Sequence, residues 1–143
     1  NPRLDSNGQP MTGLGLDCTF CHRNVAKEAA ASIPAVDFCM SCHKTVGDDN
    51  QEIAKLRDIY SQGQPINWLR VHRVPDHVHF VHEAHIRYFS EKEGKAPSEV
   101  CSTCHGDVKS MSVVTQVEDL KMKDCVDCHR DNGAPTDCTT CHY

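Results

Sequence analysis

Apolar residues are thinly spread along the chain, so the places where they fall into a period stand out. In "DDNQEIAKLRDIYSQG", Ile53, Leu56 and Ile59 or Tyr60 share one helical face. An Asp/Asn start at residues 48–50 and a stop at Gly63 and Pro65 predict a helix over about residues 50–62, its stripe used for packing. "HEAHIRYFSEKEG" predicts a second helix, closed by Gly94. Just upstream, "HVHFV" alternates as a strand does, which puts His77 and His79 on one side and about 6–7 Å apart. "VVTQV", residues 113–117, reads as a short strand, and the remainder as loop and single turns. No apolar run nears the roughly 18 residues of a membrane span.

Composition sharpens this picture. The 143 residues are 38% hydrophobic and 6% aromatic, with a mean hydropathy of -0.53. That is little material for a conventional core, so something other than side chains is expected to fill the middle. The net charge of -5 argues against nucleic acid as a partner. Asn1 stands first, with no charged-then-apolar leader. This is the expectation for a secreted chain after signal-peptide removal, hence periplasmic or extracellular.

The cysteines carry the chemistry. All ten lie in five copies of one pattern: Cys18 with Cys21, Cys39 with Cys42, Cys101 with Cys104, Cys125 with Cys128, and Cys138 with Cys141. Each pair is followed at once by a histidine, namely His22, His43, His105, His129 and His142. A disulfide framework would scatter its cysteines to close long loops. Zinc is the serious competitor, because the 17 residues between Cys21 and Cys39 and the 20 between Cys104 and Cys125 suit a zinc ribbon. But five pairs do not divide into four-cysteine sites, and zinc needs no histidine after every second cysteine. Five such coincidences have chance odds of roughly one in a million. A thioredoxin-type motif needs one active pair in a βαβ setting.

Covalent c-type haem accounts for every element of the pattern. Two thiols one helical turn apart form thioethers with the two vinyl groups of a porphyrin, and the next histidine is directed at the iron. Five haems, about one per 29 residues, then supply the missing core. The other five histidines, His72, His77, His79, His82 and His85, crowd into "VHRVPDHVHFVHEAH" and match the number of second axial positions. His82 and His85 stand at i, i+3, so one short helix can serve two irons. For a neighbouring iron His77 is preferred to His79, since the two are close for feeding separate irons. Trp68 is expected on a porphyrin face, and Arg23, Lys44, Arg70, Arg73 and Arg130 are candidates for propionates or plain surface cations.

"FVHEAH" resembles the F-x-H-x-x-H signature of class III multihaem cytochromes c, the cytochrome c3 and c7 group. "EIAKLRDIYSQGQPINWLRVHRVPDHVHFVHEAHI" with "CSTCHGDV" and "CVDCHR" is similar to one branch of it, the pentahaem subunit of alternative complex III and related quinone-linked complexes. The resemblance spans about residues 14–143. It implies that His82 faces the haem of Cys101 and Cys104, that His85 faces that of Cys125 and Cys128, and that His72 serves a third. Family members usually carry another F-x-H-x-x-H before the first motif. Here "SNGQPMTGLGLDC" has no histidine, so His77 and His79, Met11 or a neighbouring subunit must make up the deficit.

The expected fold is mostly α and irregular, with few or no strands, one compact unit organised around five covalent haems. Residues 1–13 form an arm, 14–65 a dihaem part, 66–94 the segment donating second ligands, and 95–143 a trihaem, c7-like part. The expected function is single-electron transfer through mostly bis-histidine, low-potential haems, with redox proteins as partners. A subunit of a membrane respiratory complex, an extracellular filament held by haem ligation between subunits, and a multihaem reductase are the other readings. The last needs a five-coordinate haem, and the sequence has no C-x-x-C-K motif and no catalytic constellation.

Overall fold

The computed structural model describes residues 14–143. The expected arm at 1–13, and Met11 with it, lie outside the described residues. Among those described, helices alternate with irregular loops and no strand forms. The helices are α1 (Cys18–Cys21), α2 (Val36–His43), α3 (Gln51–Ser61), α4 (His82–Glu93), α5 (Ser102–His105), α6 (Met122–Asp131) and α7 (Cys138–Cys141). No helix is long and apolar enough to cross a membrane.

The two helices read from periodicity are present, and their ends show why. Asn50 caps α3, its side chain accepting from the backbone N–H of Glu52 at 2.9 Å and of Ile53 at 3.4 Å. Ile53, Leu56, Ile59 and Tyr60 are half-buried, and α3 packs on α2. Helix α4 stops at Gly94, whose φ of 63° lets its N–H turn back to the Ser90 carbonyl. Its start has no side-chain cap. The N–H groups of His82 and Glu83 instead donate to Ala29 and Glu28 at 3.1 and 3.3 Å, so the loop after the first motif closes the start of α4.

Two expectations fail. Residues 113–117 are not a strand, because no second strand lies beside them to share a ladder. Val113 is 76% exposed, and Val117 lies over Gly106 instead. The fourth motif is not a single turn either. It sits inside the ten-residue α6, where Asp124 accepts from the Lys121 backbone N–H at 3.1 Å and Lys123 pairs with Asp127 across one turn at 2.5 Å. Helix α2, at eight residues, also exceeds a turn. The second motif, Cys39 and Cys42, therefore lies in its C-terminal half rather than on a turn of its own. The alternation in "HVHFV" yields one isolated antiparallel bridge, Val78 to His142.

The core is as thin as the composition implies. Val25, Ile86 and Val100, flanked by Ala26 and Phe89, form one buried cluster where the loop after α1, helix α4 and the approach to α5 meet. Met40 is buried separately on α2. Leu69 is 87% exposed and Trp68 54%. The accessible surface is 10953 Å², whereas a compact chain of 16.0 kDa exposes about 7,400 Å².

Candidate functional site

Every C-x-x-C pair brackets one turn of helix. Cys18 and Cys21 are the ends of α1, and Cys138 and Cys141 those of α7. Cys39 and Cys42 sit within α2, Cys125 and Cys128 within α6, and Cys101 caps the start of α5, with Cys104 one turn on. A helical turn puts positions i and i+3 on the same face, so both sulfurs of each pair project together. Asp17 fixes the first turn by accepting from the Phe20 N–H at 3.2 Å and from the Thr19 hydroxyl at 2.6 Å. The Thr19 bond, foremost, holds its carboxyl below the usual value. In the second motif Cys39 is half-buried and Cys42 exposed, and the Cys42 carbonyl accepts from the Thr45 N–H at 3.2 Å as α2 ends. None of the ten cysteines is in a disulfide.

The histidines share a second device. Nδ1 of His22 meets the Ser32 carbonyl at 2.6 Å, that of His43 meets Val46 at 3.2 Å, that of His129 meets Pro135 at 2.6 Å, and that of His142 meets His77 at 3.3 Å. In the donor segment His82 does the same with Ala29 and His85 with Val81, both at 2.8 Å. A carbonyl oxygen only accepts, so Nδ1 is the donor, and in the neutral ring Nε2 keeps its lone pair. Arg57, half-buried on α3, steadies the second motif by donating to the His43 carbonyl at 2.6 Å and to Val46 at 3.2 Å while pairing with Asp48 at 2.5 Å.

Three motif histidines face an imidazole from residues 77–85. His105 and His82 have ring centroids 6.4 Å apart with planes 7° from parallel. His129 and His85 are 6.0 Å apart at 40°, and His142 and His77 5.5 Å apart at 15°. His72 lies edge-on to His105 at 4.4 Å, and its Nε2 is buried without a partner. The His105 pKa is lowered, first by burial and then by His72, His82 and His22. His79 stacks on Tyr143 at 5.0 Å and faces no motif histidine, and no ring among the described residues faces His22 or His43.

Thiols of different motifs also act on one another electrostatically. Burial, then the neighbouring Cys18, raises the Cys101 thiol. Burial followed by Cys128 raises Cys104, and burial followed by Cys141 raises Cys125. Raised thiols are poor nucleophiles at neutral pH. Among the described residues, no group of three or more His, Cys, Asp or Glu side chains is placed to hold a metal ion by itself.

The candidate propionate partners are spread over the surface. The Arg23 guanidinium lies 4.2 Å from the Phe38 ring centroid and Lys44 5.5 Å from that of Tyr60. Arg73 pairs with Asp76 at 2.8 Å, Arg70 also acts on that carboxylate, and Arg130 reaches Asp127 at 3.5 Å. The carbonyls of Ser32, Val46, Ala29, Val81 and Pro135, and Arg57 itself, carry no signal in the sequence, since any residue offers a carbonyl. A scan against protein-family models gives no match, and a search of curated proteins gives no significant one.

Proposed function

We propose that the chain is a pentahaem c-type cytochrome whose function is electron transfer, with the ten motif cysteines as thioether anchors and His22, His43, His105, His129 and His142 as the first axial ligands. The observation that carries this is the paired imidazoles. Two imidazoles on opposite sides of one iron, each nitrogen about 2 Å from it, have ring centroids about 6.2 Å apart. His105 with His82 at 6.4 Å and His129 with His85 at 6.0 Å fit that spacing, and His142 with His77 is shorter at 5.5 Å. The bare Nε2 atoms, the surplus of exposed surface and the thin core support the same cofactor. A zinc site would need three or four Cys and His side chains drawn together, and no such group is found among the described residues.

The haem supplies reversible one-electron chemistry. The protein's part is to hold it: cysteine turns anchor one edge, and carbonyls lock Nδ1 so that Nε2 points one way. Burial lowers the His105 pKa, which favours the neutral ring that binds iron. His82, His85 and His77 take second positions, which leaves those sites no room for a substrate and argues against a reductase, and His72, with its unpartnered Nε2, lies against the same His105 ring that His82 faces. Such a protein works with redox partner proteins in the periplasm or outside the cell, either within a respiratory complex, as the likeness to the pentahaem subunits implies, or free. Self-association with haem ligation between subunits has its own support: His43 lacks a facing imidazole among the described residues, and His79 faces Tyr143 alone. Head-to-tail contact of that kind builds filaments.

Visible spectroscopy of the protein from cells competent in cytochrome maturation, with carbon monoxide as probe, tests the function. Mostly low-spin haem, largely indifferent to carbon monoxide, is expected. A colourless protein, or haem that is mainly high-spin, would overturn it.

A further inference from the structure

The five motifs have neighbours of their own, and these do not follow the order of the sequence. Phe20, inside the first motif, packs on Phe38, beside the second, with ring centroids 5.4 Å apart and Arg23 over both rings. Otherwise the second motif is held by α3, through the α2–α3 packing and Arg57.

The first motif turns its other side to the third. Val25, three residues after His22, and Val100, directly before Cys101, share the buried cluster with Ile86. Helix α1 also packs against the 3-10 turn Pro97–Glu99 that leads into the third motif.

The third and fourth motifs are tied by α4, one turn of which presents His82 to His105 and His85 to His129. From the fourth the contacts pass to the fifth: His129 bonds to Pro135 in the short link to α7, and residues 77–79, which run into α4, meet the fifth motif through the His77–His142 rings and through the His79 N–H, which donates to the Cys141 carbonyl at 2.7 Å. Beyond the fifth motif come His77, Val78 and Tyr143.

We propose that the attachment sites form a single line in the order second, first, third, fourth, fifth, so that electrons cross the molecule between the site of Cys39 and Cys42 and the site of Cys138 and Cys141. Each crossing takes one electron from a reduced donor protein at one end and hands it to an oxidised acceptor protein at the other, with no bond made or broken. The inference rests on the pentahaem reading, and the two fail differently.

The test is to locate the five irons in the haem-loaded protein by anomalous diffraction, after its mass has established how many haems it carries. The expected result makes the first iron the nearest neighbour of the second, and the fourth the nearest neighbour of the fifth, with the third between first and fourth. Five irons arranged in sequence order, or with the second closest to any iron but the first, would overturn the route alone. A chain without covalent haem would overturn the reading beneath it, and the route with it.

Discussion

The imidazoles of His82 and His105 lie 6.4 Å apart, ring centre to ring centre, with planes within 7° of parallel, although 22 positions of sequence separate them. His82 is held by the Ala29 carbonyl, and His105 is half-buried at the end of α5. Replacing His82 by alanine should therefore open one iron and leave the other four alone. Roughly one-fifth of the haem is expected to become high-spin and to bind carbon monoxide. An unchanged spectrum in His82→Ala would remove this pairing.

His77 and His79 separate in the same way. His77 faces His142 and its carbonyl accepts from the His142 Nδ1, while His79 stacks on Tyr143. His77→Ala is expected to expose the iron of the fifth motif to carbon monoxide. His79→Ala should leave that iron six-coordinate. Equal responses of the two variants would contradict this division.

Gly106, directly after the third motif, has φ 67° and ψ −169°, a conformation reserved almost wholly to glycine. A Cβ there would stand 3.0 Å from Cγ1 of Val117. Gly106→Ala should cost about 2–3 kcal/mol, visible as a lowered thermal midpoint of the haem-loaded protein. A midpoint equal to that of the parent would show that the turn relaxes freely.

Acid should loosen the first turn. The Asp17 carboxyl is held low, chiefly by the Thr19 hydroxyl, so the unfolded chain takes up its proton first as pH falls. The stabilisation is thus whole above the ordinary aspartate value and is lost as pH drops through the lowered one. Asn caps a helix about as well but does not titrate. Asp17→Asn should narrow the difference in thermal midpoint between about pH 6 and about pH 3. No narrowing would mean that other carboxylates dominate.

How much of this was legible in the sequence follows from what each feature is made of. Periodicity and caps announce α3 and α4, because Ile53, Leu56, Asn50 and Gly94 each act through their own side chain or lack of one. The turn inside each motif is legible for the same reason, as spacing dictates it. What spacing does not carry is how far the helix runs on either side, so Cys39 and Cys42 in α2 looked no different from Cys18 and Cys21 in α1. Val113, Val114 and Val117 misled because β-branching favours a strand only where a partner strand exists. The carbonyls that orient six histidines were out of reach, since a backbone oxygen has no identity in a sequence. The spatial order of the motifs was hidden too, because it depends on Phe20 meeting Phe38 and Val25 meeting Val100 across long stretches of chain.

Mass spectrometry of the denatured protein, made in cells that attach haem, tests the central claim most directly. Five haem additions per chain and no thiol reactive toward an alkylating agent are the predicted result. Free thiols on an unmodified chain, or zinc released in place of iron, would contradict it.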